Sequence, residues 1–81
     1  MAGYHVDTIP KGVYGAPSKI KEEFLEFEDA LRQNNVIMAI QELSDLLGAM
    51  EGYLANYNIT IQDLSAMKDV TKEVFELGYR S

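Results

Sequence analysis

The chain has 81 residues, no cysteine, and thirteen acidic against seven basic residues, which gives a formal net charge of −6. Without cysteine, the chain has neither disulfides nor thiolate zinc sites. Its acidic charge disfavours binding to nucleic-acid polymers. No apolar run reaches the roughly 20 residues that cross a bilayer. We therefore expect a single cytoplasmic domain, small enough that self-association is a common source of extra stability.

Residues 1–16 are predicted to form an extended arm, because they lack helical periodicity and contain three glycines and a proline. A short strand over residues 6–9 is compatible with the pattern. His5 is the only histidine and has no neighbours that complete a catalytic triad, so a structural or solvent-exposed role is predicted for it. For Tyr14 we favour packing on its own or a neighbouring subunit over stacking on a base.

A first helix is predicted over residues 17–33. Pro17 suits the first turn of a helix, where its missing N–H is not needed. Four apolar residues then recur at spacings of four, three and four, and they are Ile20, Phe24, Phe27 and Leu31. This stripe is expected to face the core.

A second helix is predicted over residues 36–57, with Asn35 as its N-cap and the asparagines near residue 57 at its end. It is apolar on more than one face, so we expect it to be central and to contact partner helices and another subunit. Its apolar residues are Val36, Ile37, Ile40, Leu43, Leu46, Leu47, Met50, Tyr53 and Leu54.

A third helix is predicted between a capping box at Thr60 and Asp63 and a terminating Gly78. Its apolar residues are Leu64, Met67, Val70, Val74, Phe75 and Leu77. The methionines 38, 50 and 67 are assigned to the core. Because the loops are short, sequential helices should pack antiparallel. The predicted fold is thus an all-α small helical bundle, with residues 1–81 as one domain that is completed by oligomerisation.

Two pairs of carboxylates stand out within this helical pattern. Glu23 and Glu26 are three apart on the first helix, and Glu42 and Asp45 are three apart on the second, so each pair shares a helix face. In an antiparallel hairpin the two pairs reach similar heights above the turn, at ~1.5 Å per residue. Acidic helix surfaces are commonly only solvated faces, which is the alternative interpretation.

The second pair lies inside the most apolar helix, and no basic residue occurs between Arg32 and Lys68. Like charges in partly buried surroundings repel one another and lose hydration, so they need compensation. A divalent cation provides it. Ligands that are all oxygen favour Mg²⁺, or Mn²⁺, over zinc.

The pattern Glu22-Glu23-x-x-Glu26, then fifteen residues, then Glu42-x-x-Asp45 resembles the signature of the MazG-like nucleoside triphosphate pyrophosphohydrolases. The resemblance covers about residues 17–80. It implies an all-α homodimer or homotetramer with Mg²⁺-dependent cleavage between the α- and β-phosphates of (deoxy)nucleoside triphosphates.

By motif position, the resemblance implies that Glu23, Glu26, Glu42 and Asp45 are metal ligands. Glu22 or one of these four ligands would orient the attacking water. Glu22 and Glu23 are the candidates for this catalytic role. Such an enzyme would trim the nucleotide pool.

The resemblance also implies phosphate-binding residues near the last helix, where the match is looser. The candidates are Lys68, Lys72 and Arg80, with Lys19 at the start of the first helix as a further one. The expected asparagine is not evident, and Thr71 stands near its place. A solvated helix face is the alternative for both lysines of the third helix.

Two other functions remain open at this point. The related phosphoribosyl-ATP pyrophosphohydrolases share the acidic pattern, but residues 46–49 (LLGA) depart from the aromatic and histidine residues that usually follow it, so this activity ranks lower. A non-catalytic helical module that binds itself or a partner is the alternative from a different class, because the apolar second helix requires assembly under either interpretation.

Overall fold

Residues 8–78, which the computed structural model describes, contain three α-helices and no strand. Helix α1 spans Pro17–Arg32, α2 spans Val36–Ala55 and α3 spans Ile61–Glu76. The predicted all-α fold is confirmed, and no helix in this part of the chain is long and apolar enough to cross a membrane. Thr8 and Ile9 are not in a strand; the remainder of the predicted strand, together with His5, lies outside the described residues.

The predicted helix signals act as expected. The side chain of Asn35 accepts a hydrogen bond from the backbone N–H of Met38 at 3.0 Å. Thr60 and Asp63 form a reciprocal capping box, with backbone N–H groups donating across 2.9 and 3.1 Å. Gly78 ends the third helical segment with φ +79°, a left-handed conformation that glycine adopts without strain. Local sequence therefore sets where the helices begin and end.

Helices α1 and α2 pack on each other and, because only three residues join them, run antiparallel as a hairpin. Small side chains let the two backbones approach, with Ala30 from α1 against Met38 and Ala39 from α2. The prediction that the apolar stripe of α1 faces this core is correct for Phe27, which packs against it, but not for the whole stripe. Phe24 and Leu31 are 47 and 52% exposed. The acidic face of α1 beside this stripe is turned inward.

Helix α3 does not pack along the hairpin, which corrects the prediction of three antiparallel neighbours. No residue of α3 is buried, and Met67, assigned to the core from sequence, is exposed. An open apolar groove of about 370 Å³ lies where α3 leaves α2, and its lining includes Met50, Leu64 and Lys68. The apolar stripe of α3 therefore lacks a partner helix within residues 8–78.

The arm that precedes α1 crosses the end of α2. The side chain of Asn56 donates a hydrogen bond to the carbonyl of Gly15 at 2.7 Å. The ring of Tyr14 lies on Gly52 so closely that a Cβ at that position would come within 2.5 Å of it. Tyr14 thus packs on its own chain, as favoured from sequence.

Candidate metal centre

The inward face of α1 is a row of carboxylates. Helical spacings of one, three and three residues place four acids along the surface that α2 covers, and all four are buried: Glu22, Glu23, Glu26 and Asp29. Helix α2 contributes Glu42, which is also buried, from its own inner face. Burying charge costs free energy unless it is compensated, so a hairpin interface built from carboxylates requires partners of opposite charge.

Carboxylates from the two helices converge. Glu23, Glu42 and Asp45 each place an oxygen within 4.8 Å of the other two, and Glu22, Glu23 and Glu26 form a second such group. Glu23 belongs to both groups and joins them into one cluster. Asp45 is exposed, so the cluster opens to solvent at the α2 side. Of the two predicted acidic pairs, the structure brings Glu23 together with Glu42 and Asp45, whereas Glu26 groups with Glu22 and Glu23 on its own helix.

Glu23 is a buried carboxylate that is paired through one of its two oxygens. It is 5% exposed, and its Oε2 accepts no hydrogen bond from the described residues. Burial, together with the adjacent Glu26, raises the pKa of Glu23 above its ordinary value, although Lys19 opposes the shift. The Nζ of Lys19 lies 3.2 Å from the other oxygen, Oε1. Lys19 therefore compensates part of the charge on Glu23.

Glu22, by contrast, is well partnered. Its Oε1 accepts a hydrogen bond from the backbone N–H of Gly12 at 2.7 Å and contacts the Nζ of Lys19 at 3.3 Å. Lys11 lies 3.8 Å from Oε2. Burial acts to raise the pKa of Glu22, but the Gly12 hydrogen bond and the two lysines outweigh it and hold the pKa below the ordinary value. Glu22 therefore ties the arm to α1.

Asp29 was not singled out from the sequence, yet it is fully buried. Its carboxylate lies 3.9 Å from the guanidinium of Arg32 and accepts a hydrogen bond from Gln33 at 3.3 Å. The available signal was its spacing, because Glu22, Glu26 and Asp29 follow one another by four and three residues along one helix face. Asp29 extends the acidic row toward the turn between the helices.

The predicted phosphate-binding residues do not all lie near the acidic cluster. Lys19 contacts two carboxylates of the cluster. Lys68 and Lys72 lie on α3 and pair with acids of that helix, Asp69 at 3.2 Å and Glu76 at 3.8 Å. Arg80 lies outside the described residues. Within the described residues, Lys19 is therefore the predicted phosphate-binding residue that the fold brings to the acidic cluster.

The donor set suits Mg²⁺ or Mn²⁺. The converging groups are all carboxylates, which are hard oxygen ligands, and the buried Oε2 of Glu23 accepts no hydrogen bond from the described residues. Glu23, Glu42 and Asp45 are the predicted ligands that converge and could hold an ion together, and Glu26 adjoins them through Glu23. Asp45 is on the solvent side, which leaves room for the waters and phosphates that Mg²⁺ keeps in its coordination shell.

Comparison with known proteins identifies no relative: no family model, no curated protein and no solved structure matches this chain.

The raised pKa of Glu23 predicts a pH dependence of stability without metal. Between its ordinary value of 4.5 and its raised value in the folded chain, the folded state binds more protons than the unfolded state, so stability falls as pH rises through this window. In the presence of a chelator, the melting temperature followed by circular dichroism should therefore decrease as the pH rises from 4.5 through the raised pKa of Glu23. Glu23→Gln should flatten this decrease, and parallel curves for the two proteins would contradict the assignment.

Proposed function

We propose that this chain is a metal-dependent hydrolase of phosphoanhydride bonds. In particular, it would act as a Mg²⁺-dependent nucleotide pyrophosphohydrolase, with Mn²⁺ as a possible substitute. The reaction consumes one water and one (deoxy)nucleoside triphosphate, breaks the bond between the α-phosphorus and the bridging oxygen, and yields a monophosphate and pyrophosphate.

The observation that carries this proposal is the approach of Glu23 on α1 to Glu42 and Asp45 on α2, with one oxygen of each within 4.8 Å of the others. Two of these three carboxylates are buried. Directing like charges at one another where two of the three are buried does not stabilise a fold, so this arrangement supports a functional site. The spacing of the acids agrees with the resemblance described above.

Bound Mg²⁺ would neutralise phosphate charge and acidify a coordinated water. The four carboxylates Glu23, Glu26, Glu42 and Asp45 would hold it, and the rigid hairpin would fix their relative positions. Glu22 or one of these four carboxylates would orient the attacking water. Glu22 is fixed beside them by the hydrogen bond that it accepts from the backbone N–H of Gly12.

The charge of the chain favours a small substrate. A net charge of −6 repels a nucleic-acid backbone over its whole length, whereas a single triphosphate can be held locally through a divalent ion and a lysine. This supports a free nucleotide as the substrate class.

The test is direct. Purified chain is incubated with Mg²⁺ and each ribo- and deoxyribonucleoside triphosphate in turn, and the products are separated by anion exchange. We expect monophosphate and pyrophosphate in equal amounts, with none formed in the presence of a chelator. Folded protein that turns over none of the triphosphates would refute the proposal, and diphosphate with inorganic phosphate would assign the cleavage to a different bond.

The second proposal is self-association, which is compatible with catalysis and with the non-catalytic module alike. The outer face of α2 carries large apolar side chains in an i, i+4, i+7, i+11 pattern, all exposed: Val36, Ile40, Leu43 and Leu47. Ile37 beside them is 84% exposed. We infer that a second copy of the chain covers this face, which we call the outer α2 stripe.

The size of the core supports this inference. Buried apolar residues within the described part of the chain are Ala30, Met38, Ala39 and Ala49, of which three are alanines. Alanines contribute little apolar area, and at ~25 cal/mol per Å² such a core stabilises a domain weakly. Because the stripe repeats on every copy, a symmetric dimer buries it twice.

A further inference from the structure

Lys19 lies between two carboxylates that have different partners. Its Nζ is 3.3 Å from Oε1 of Glu22 and 3.2 Å from Oε1 of Glu23. Glu22 is held by the backbone N–H of Gly12, whereas Glu23 belongs to the group that spans both helices. One ammonium therefore bridges the arm-binding carboxylate and the proposed metal-binding one.

We propose that Lys19 is an internal counter-ion, which a divalent cation displaces from Glu23 and which then binds a phosphate of the substrate. This inference rests on the metal site proposed above. Without metal, Lys19 compensates part of the charge on Glu23. With metal, the ion takes over that compensation, and Lys19 stays beside the site through Glu22.

Glu22 can retain Lys19 because contacts outside the group of Glu23, Glu42 and Asp45 fix its carboxylate. Its carboxylate is buried and is fixed by the 2.7 Å hydrogen bond from Gly12. The side chain of Lys19 is 29% exposed, so its ammonium can turn toward solvent without breaking buried packing. A flexible lysine on a four-carbon stem can follow such a change of partner, which a planar guanidinium would do less readily.

The charges favour replacement of the Lys19 ammonium by a divalent ion beside Glu23. A divalent ion interacts more strongly than one ammonium with a cluster that includes Glu23, Glu42 and Asp45. Triphosphate then brings negative charge to the same place, and within residues 8–78 the displaced ammonium of Lys19 is the basic group that contacts Glu23 before the ion binds. Lys19 thus lowers the affinity for free metal and raises the affinity for phosphate on the loaded protein.

The test compares Lys19→Gln with Lys21→Gln. Lys21 is exposed, and two residues rotate a helix by about 200°, so it lies on the other side of α1 and controls for the loss of one positive charge. Binding of Mn²⁺ alone is measured by electron paramagnetic resonance of the free ion. We expect Lys19→Gln to bind Mn²⁺ about fivefold more tightly than Lys21→Gln, and the loaded variant to bind inorganic pyrophosphate about fivefold more weakly.

A second measurement uses the wild-type chain, so its result does not depend on whether a variant folds. With ¹³C-labelled lysine, Mg²⁺ should shift the ε-methylene resonance of Lys19 and leave that of Lys21 in place. Equal Mn²⁺ affinity in both variants, or an unmoved Lys19 resonance in metal-bound protein, would refute the displacement of Lys19 from Glu23. Either result would leave the proposed metal site intact. No Mn²⁺ binding by wild type or either variant overturns the metal site itself, and the exchange with it.

Discussion

Glu42→Gln is expected to abolish triphosphate hydrolysis while preserving the fold. Mutating a residue that only hydrogen-bonds to a metal ligand typically lowers affinity or activity by about 10- to 100-fold. Loss of a ligand itself should therefore reduce the rate by about 100-fold or more. Glu42 is buried within 4.8 Å of Glu23, and the neutral amide reduces repulsion between them. Without metal, the variant should therefore melt higher than wild type, by about 5 °C if the gain is about 1 kcal/mol.

The matched control is Glu51→Gln, an exposed acid on the same helix that should leave activity and Mg²⁺ response unchanged. Thermal unfolding with and without Mg²⁺ is measured beside the hydrolysis assay. Wild type and the control should gain melting temperature with Mg²⁺, because a ligand of the folded state stabilises it, and Glu42→Gln should not. If Mg²⁺ stabilises none of the three proteins and Glu42→Gln changes only stability, the non-catalytic module is the better description.

Ile40→Glu is expected to disrupt self-association without unfolding the chain. Ile40 lies in the outer α2 stripe and is exposed in the single chain, so glutamate there remains solvated in the monomer. In a symmetric dimer the same change buries two charges against apolar side chains. A central interface residue of this kind contributes about 2–3 kcal/mol, so the dissociation constant should rise by about 30- to 150-fold.

Sedimentation velocity over a concentration series measures this effect, with circular dichroism as the check on folding. Gln41→Glu is the control: it adds the same charge at the next residue, which is exposed and points in another direction from the helix axis. Gln41→Glu should associate as wild type does. A wild-type chain that stays monomeric across the series, or equal weakening by both variants, would remove the outer α2 stripe as the interface.

The acidic cluster was largely predictable because its members depend on local periodicity. Residues three apart on a helix share a face, and similar distances from the turn put Glu23 and Glu42 at similar heights in an antiparallel hairpin, although only the packing decides that these faces meet. Asp29 and Lys19 were harder to place. Asp29 needed recognition that the acidic row, and not the apolar stripe, is covered by α2. Lys19 was one of several basic candidates until the hairpin put it 3.2 Å from Glu23.

By itself, the sequence determined the helices and their ends, since Asn35, the Thr60 and Asp63 capping box and Gly78 act through hydrogen bonds and backbone angles within a few residues. Only the tertiary structure decided which face of each helix is buried. Phe24 and Leu31 are exposed and α3 lacks a partner because burial depends on the neighbouring surface, and the periodicity of one helix carries no information about its neighbour.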